Sequence, residues 1–63
     1  MGLGFDIFRK LDDGTPLWVQ QVATLDDGKK HLDALIFAAP AEYFIRDAST
    51  GEIVHRLGVV SPA

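Results

Sequence analysis

The chain has 63 residues, 48% of them apolar, no cysteine and a net charge of −3. That is too apolar for a disordered chain, and acidic enough that no overall field draws nucleic acid or anionic lipid to it. The missing cysteines exclude disulfide staples and thiolate metal sites. A domain that buries only about 60% of its unfolded surface is then left with oligomerisation as its common means of support.

One domain over 1–63 is expected, with the folded core at 5–57 and short tails at 1–4 and 58–63. No basic segment precedes an apolar stretch as a secretory leader requires. The longest apolar run, Ala34 to Ala41, is broken by Pro40 and is far shorter than a membrane span. Asp6 stands where an N-myristoylation signal needs Ser or Thr. A soluble cytoplasmic protein is the expectation.

Phe5 to Leu11 reads as a first strand, with Phe5, Ile7 and Leu11 on one face and Asp6, Phe8 and Lys10 on the other. The tetrapeptide Leu-Asp-Asp-Gly follows as Leu11–Gly14 and recurs as Leu25–Gly28. The first copy lies between two apolar runs and makes a hairpin turn, since Gly supplies a positive φ and Asp tolerates one. Leu17 to Ala23 is the second strand. Its adjacent Gln20 and Gln21 put one amide on each face, which suggests a bulge.

The second copy begins a helix over Leu25 to Ala39. Thr24 is its N-cap, and Asp26 and Asp27 oppose the positive end of the dipole. Leu25, Leu32, Leu35, Ile36 and Ala39 form its apolar stripe. Gly28 falls on that stripe, so it permits close helix–sheet approach. Phe37 projects about 100° off it. Pro40 stops the helix, because the residue before proline avoids the helical region. Glu42 to Asp47 is the third strand, Ala48 to Gly51 a second hairpin turn and Glu52 to Leu57 the fourth strand; Pro62 discourages further pairing in the tail.

These elements predict a two-layer α+β fold of ββαββ order. A right-handed crossover leaves room for the first strand between the second and third, giving an antiparallel sheet of order 2-1-3-4 with one helix on one face. The expected core is Phe5, Ile7, Val19, Leu25, Leu32, Leu35, Ile36, Tyr43, Ile45 and Ile53. Nothing in the chain covers the other face of the sheet. Alternation sends Phe8, Trp18, Phe44 and Val54 there, joined by Arg46, Arg56 and Lys10, with Asp6 and Gln20 nearby.

Phe8, Trp18, Phe44, Arg46, Val54 and Arg56 are therefore the candidate interface residues. Aromatic and Arg side chains are what protein interfaces favour, so the partner is expected to be a second copy of the chain or another protein. The alternative is single-stranded nucleic acid, its bases stacked on the aromatics and its phosphates held by the cations. The acidic balance and the lack of clustered Lys favour the protein.

No catalytic, cofactor or metal residue is assigned, and an enzyme with a small-molecule substrate is not expected. His31 and His55 have no third ligand at metal-site spacing and no nucleophile beside them. Neither Asp-Asp-Gly has the alternating carboxylates and closing Glu of a calcium loop. Gly2-Leu3-Gly4 precedes a strand rather than joining a strand to a helix, so it is no phosphate cradle. Ser49 and Thr50 lack an adjacent base.

The phrases Phe5-Asp6-Ile7-Phe8-Arg9, Trp18-Val19, Leu25 to Lys30, and Glu42 to Ile45 with Asp47 and Thr50-Gly51-Glu52 resemble a group of very short bacterial proteins of ββαββ layout and unassigned role. The resemblance implies a bacterial stand-alone domain and carries no activity or site residue with it.

Overall fold

A computed structural model describes residues 4–58. The tails at 1–3 and 59–63, with Pro62, lie outside the described residues. The elements are β1 (Phe5–Lys10), β2 (Pro16–Val22), α1 (Leu25–Ala38), β3 (Glu42–Asp47) and β4 (Ile53–Gly58). The strands form one antiparallel sheet in the order β2-β1-β3-β4. The fold is thus the expected two-layer α+β arrangement, with element ends within one residue of those read from the sequence.

Each hairpin is closed by a glycine that L side chains would replace only with strain: Gly14 has φ 86° and Gly51 φ 78°. In the first turn Gly14 N–H donates to Leu11 O at 2.8 Å, and Asp13 Oδ1 accepts from Thr15 N–H at 2.9 Å. In the second, Gly51 N–H donates to Asp47 O at 2.7 Å, and Asp47 Oδ1 accepts from both Ser49 N–H and Ser49 Oγ–H. The Asp residues are turn formers, as their chemistry predicts.

Thr24 caps α1 from an extended conformation, its Oγ1 accepting from Asp27 N–H at 3.1 Å. The helix ends where Ala39 N–H donates to Leu35 O, one residue before Pro40. Its main contacts are with β1 and β3, then β2. Ile7, Val22, Leu32, Tyr43 and Ile45 are buried, and Phe5, Val19, Leu25, Leu35, Ile36 and Ala41 pack around them. Tyr43 keeps its hydroxyl satisfied by donating to Ala39 O at 2.8 Å. Gly28 is buried against the sheet, as its place on the stripe implied.

Two register shifts decide which side chains share a face. On β2 the pairing steps from Ile7↔Gln20 to Phe8↔Trp18, so Val19 is the extra residue of a bulge. The bulge lies just before the Gln pair. It puts Val19, Gln20 and Val22 together on the helix side, which is why Val22 joins the core. On β4 the pairing steps from Ile45↔His55 to Arg46↔Ile53, leaving Val54 unpaired. Ile53 is therefore carried to the face of Arg46 and is 44% exposed. It is not a core residue, and it does not share a face with His55.

A candidate interaction face on the open side of the sheet

Cross-strand partners project from the same side of a sheet, so the pairing register maps the uncovered face directly. Three rows cross it. The central one runs Trp18, Phe8, Phe44, Arg56 from β2 to β4. One flanking row runs Pro16, Lys10, Glu42, Gly58, and the other Gln21, Asp6, Arg46, Ile53.

The central row is partly ordered by its own contacts. The Phe8 and Phe44 rings stack with centroids 5.1 Å apart and planes at 14°. Trp18 stands at the β2 edge, 56% exposed, its Nε1–H donating to Asp6 Oδ1 at 3.3 Å. That bond crosses between rows and pins the indole over the sheet. At the other end Arg56 lies opposite Phe44 and is exposed.

The flanking rows carry charges in opposed pairs. Lys10 Nζ lies 3.4 Å from Glu42 Oε2, and Asp6 is the register partner of Arg46. Both pairs bridge β1 and β3, where opposite charges favour the pairing. The Arg46 guanidinium reaches toward Gly51, at the β3–β4 turn. An open groove of about 660 Å³ runs toward β4 between these rows, with Lys10, Pro16, Glu42, Phe44, Ile53 and Arg56 among its lining residues.

The structure thus brings Phe8, Trp18, Phe44, Arg46 and Arg56 to one face. Val54 falls at the β4 bulge, 40% exposed and without a register partner. Gln20 is not on this face; Gln21 is, opposite Asp6. Glu42 also belongs to the face, as its alternation with Phe44 and Arg46 implies, whereas Ile53 is brought there by the β4 bulge, which alternation alone does not predict. The pairing of Glu42 with Lys10 becomes legible once the β1–β3 register is known. With Asp6 and Glu42 among them, the three cations face two carboxylates, so the face is close to neutral.

Elsewhere the titratable groups stand apart. His31 is exposed on α1, and His55 is half-buried opposite Ile45 on the helix side. Among the described residues no three His, Asp or Glu side chains gather to hold a metal. Hydrogen bonds from the Ser49 hydroxyl and N–H hold the Asp47 carboxyl below its ordinary pKa, and the Thr15 N–H does the same for Asp13. Both are turn groups, away from the aromatic row. Among the described residues no helix is long and apolar enough to cross a membrane. No protein-family model, curated protein or solved structure matches the chain.

Proposed function

We propose that the chain is a small protein–protein interaction module that works through the open face of its sheet. The observation that carries this is the row Trp18–Phe8–Phe44–Arg56, which no other element among the described residues covers, the helix packing on the other side. Contiguous apolar surface of this kind marks interaction sites, and aromatic and Arg residues are the usual anchors of interfaces. The lack of cysteine in so small a domain suits a reducing compartment, so the cytoplasm is the proposed setting, and the resemblance to short bacterial proteins makes it that of a bacterial cell.

The aromatic row also has the chemistry to stack unpaired bases. Against that reading, Asp6 and Glu42 alternate with the cations and would repel the phosphates running past them. Adding an oligonucleotide at low salt should leave Trp18 fluorescence unchanged.

The direct test is a photo-reactive residue placed at position 8 or 18, with position 29 on the exposed side of α1 as the control. Covalent adducts formed in cells from the sheet positions and not from the helix support the module. Adducts from neither, or from the helix alone, overturn it.

A further inference from the structure

Resting on that reading, we infer that the partner is a second copy of this chain, docked open face to open face about a two-fold axis that runs along the strands between β1 and β3. The argument is the charge pattern of the face. Such an axis exchanges β1 with β3 and β2 with β4 while keeping each row opposite itself. Asp6 then meets Arg46 of the second copy, and Lys10 meets Glu42 of the second copy, each twice. With the Lys10–Glu42 pair inside each chain, the second contact makes a square of alternating charge on one side of the aromatic row. On the other side Asp6 and Arg46, register partners within the chain, meet their opposites across the axis.

The central row is matched in the same operation. Phe8 faces Phe44 of the second copy, and Trp18 faces Arg56 of the second copy, where a guanidinium over an indole is favourable. Packed sheets cross at about −30°, and a two-fold axis divides that angle equally, so the middle of each row stays in register. The other in-plane axis, perpendicular to the strands, keeps each strand opposite itself. It also sets Asp6 against Lys10 of the second copy, but it brings Arg56 onto Arg56 of the second copy and gives neither guanidinium an indole. The central row therefore selects one of the two symmetric self-pairings.

Size indicates how tight the pairing is. Four strands about 4.8 Å apart and six residues long, at about 3.3 Å each, cover roughly 400 Å² in plan. A standard interface buries about 800 Å² per partner. A reversible, concentration-dependent dimer follows, rather than an obligate one.

The test uses Asp6→Lys and Arg46→Glu, with sedimentation run from low micromolar to millimolar concentration and circular dichroism checking the fold. Each variant alone opposes like charges twice across the axis and should associate at least tenfold more weakly than wild type. Mixed in equal amounts, the two variants set the introduced lysine against the introduced glutamate and the native Arg46 against the native Asp6. A heterodimer should then form with affinity within a few-fold of wild type. The perpendicular axis predicts no such rescue, because position 6 would then face Lys10. Lys10→Glu and Glu42→Lys repeat the same logic if the first pair misfolds. A wild type that stays monomeric to millimolar concentration, or variants that fail to rescue each other, overturns the inference. Photo-adducts at a mass other than twice the chain would overturn it too, while leaving the interaction module standing.

Discussion

A Cβ built on Gly28 would lie 2.9 Å from Ile45 Cδ1 and 3.3 Å from Val22 Cγ2, inside the distance at which real side chains pack. Ala would gain about 1 kcal/mol of helix propensity over Gly. Against that, overpacking a core costs about 1–3 kcal/mol, and Ile45 is fully buried. Gly28→Ala should therefore destabilise by about 1 kcal/mol in a urea titration. Ile45→Val removes the offending methyl at about 0.5–1.5 kcal/mol by itself, so the double variant should cost less than the sum of the two. An additive pair would mean that the helix simply lifts. Trp18 makes the opposite case. More than half exposed and on the uncovered face, it should cost about 1 kcal/mol when cut to Ala, well short of the roughly 3–5 kcal/mol of a buried aromatic. A Trp18→Ala chain that is unfolded at 25 °C would put the indole in the core.

The elements show how much local chemistry alone can specify. Two Asp-Asp-Gly copies declare a turn and a helix start because their neighbours differ, and Thr24, Pro40 and the hairpin glycines mark the boundaries to within a residue. The face of each edge strand is less legible. A bulge inverts the alternation beyond it, and nothing in Ile53-Val54-His55 announces that Val54 is unpaired, whereas Gln20-Gln21 at least breaks the pattern of β2. Simple alternation thus assigns Ile53 to the core and overlooks Val22. At the β3–β4 turn the chemistry makes its own prediction. Asp47 has its pKa lowered in the fold by the Ser49 hydroxyl and N–H. A carboxyl with a depressed folded pKa adds stability above its unfolded value of about 3.9, and that contribution is lost as pH falls through the folded value. Asp13, held down by Thr15, acts in the same direction. The urea midpoint should therefore drop as pH falls below the unfolded value of about 3.9, and Asp47→Asn, which cannot titrate, should make that drop shallower. An identical pH profile in the variant would show that the turn hydrogen bonds do not favour the ionised form.

At the scale of the whole molecule, stability and association become one measurement. One helix on a four-stranded sheet leaves, among the described residues, a core of five buried side chains, Ile7, Val22, Leu32, Tyr43 and Ile45, and a second sheet face whose aromatic row is only partly covered within the chain, with Trp18 56% exposed. If the faces pair, the dimer binds only folded chains, and mass action stabilises the fold. Well above the dissociation constant each tenfold rise in concentration then adds about 0.7 kcal/mol per chain, half the value of a decade in a one-to-one equilibrium. For a domain of this length, about 1 kcal/mol moves Tm by about 4–8 °C, so Tm should climb by roughly 3–6 °C per decade of concentration. Trp18→Ala should abolish most of that climb while lowering the dilute-limit Tm only slightly, because the indole supports the pairing more than the fold. The surface ion pair of Lys10 and Glu42, half-exposed on both sides, contributes little within a single chain. Association adds further attractions between opposite charges of the two faces, and salt screens that attraction as the faces approach, so added salt should flatten the concentration dependence before it lowers Tm at high dilution. A Tm that is independent of concentration across the same range would mean that this small core holds the fold alone and that the aromatic row meets something other than itself.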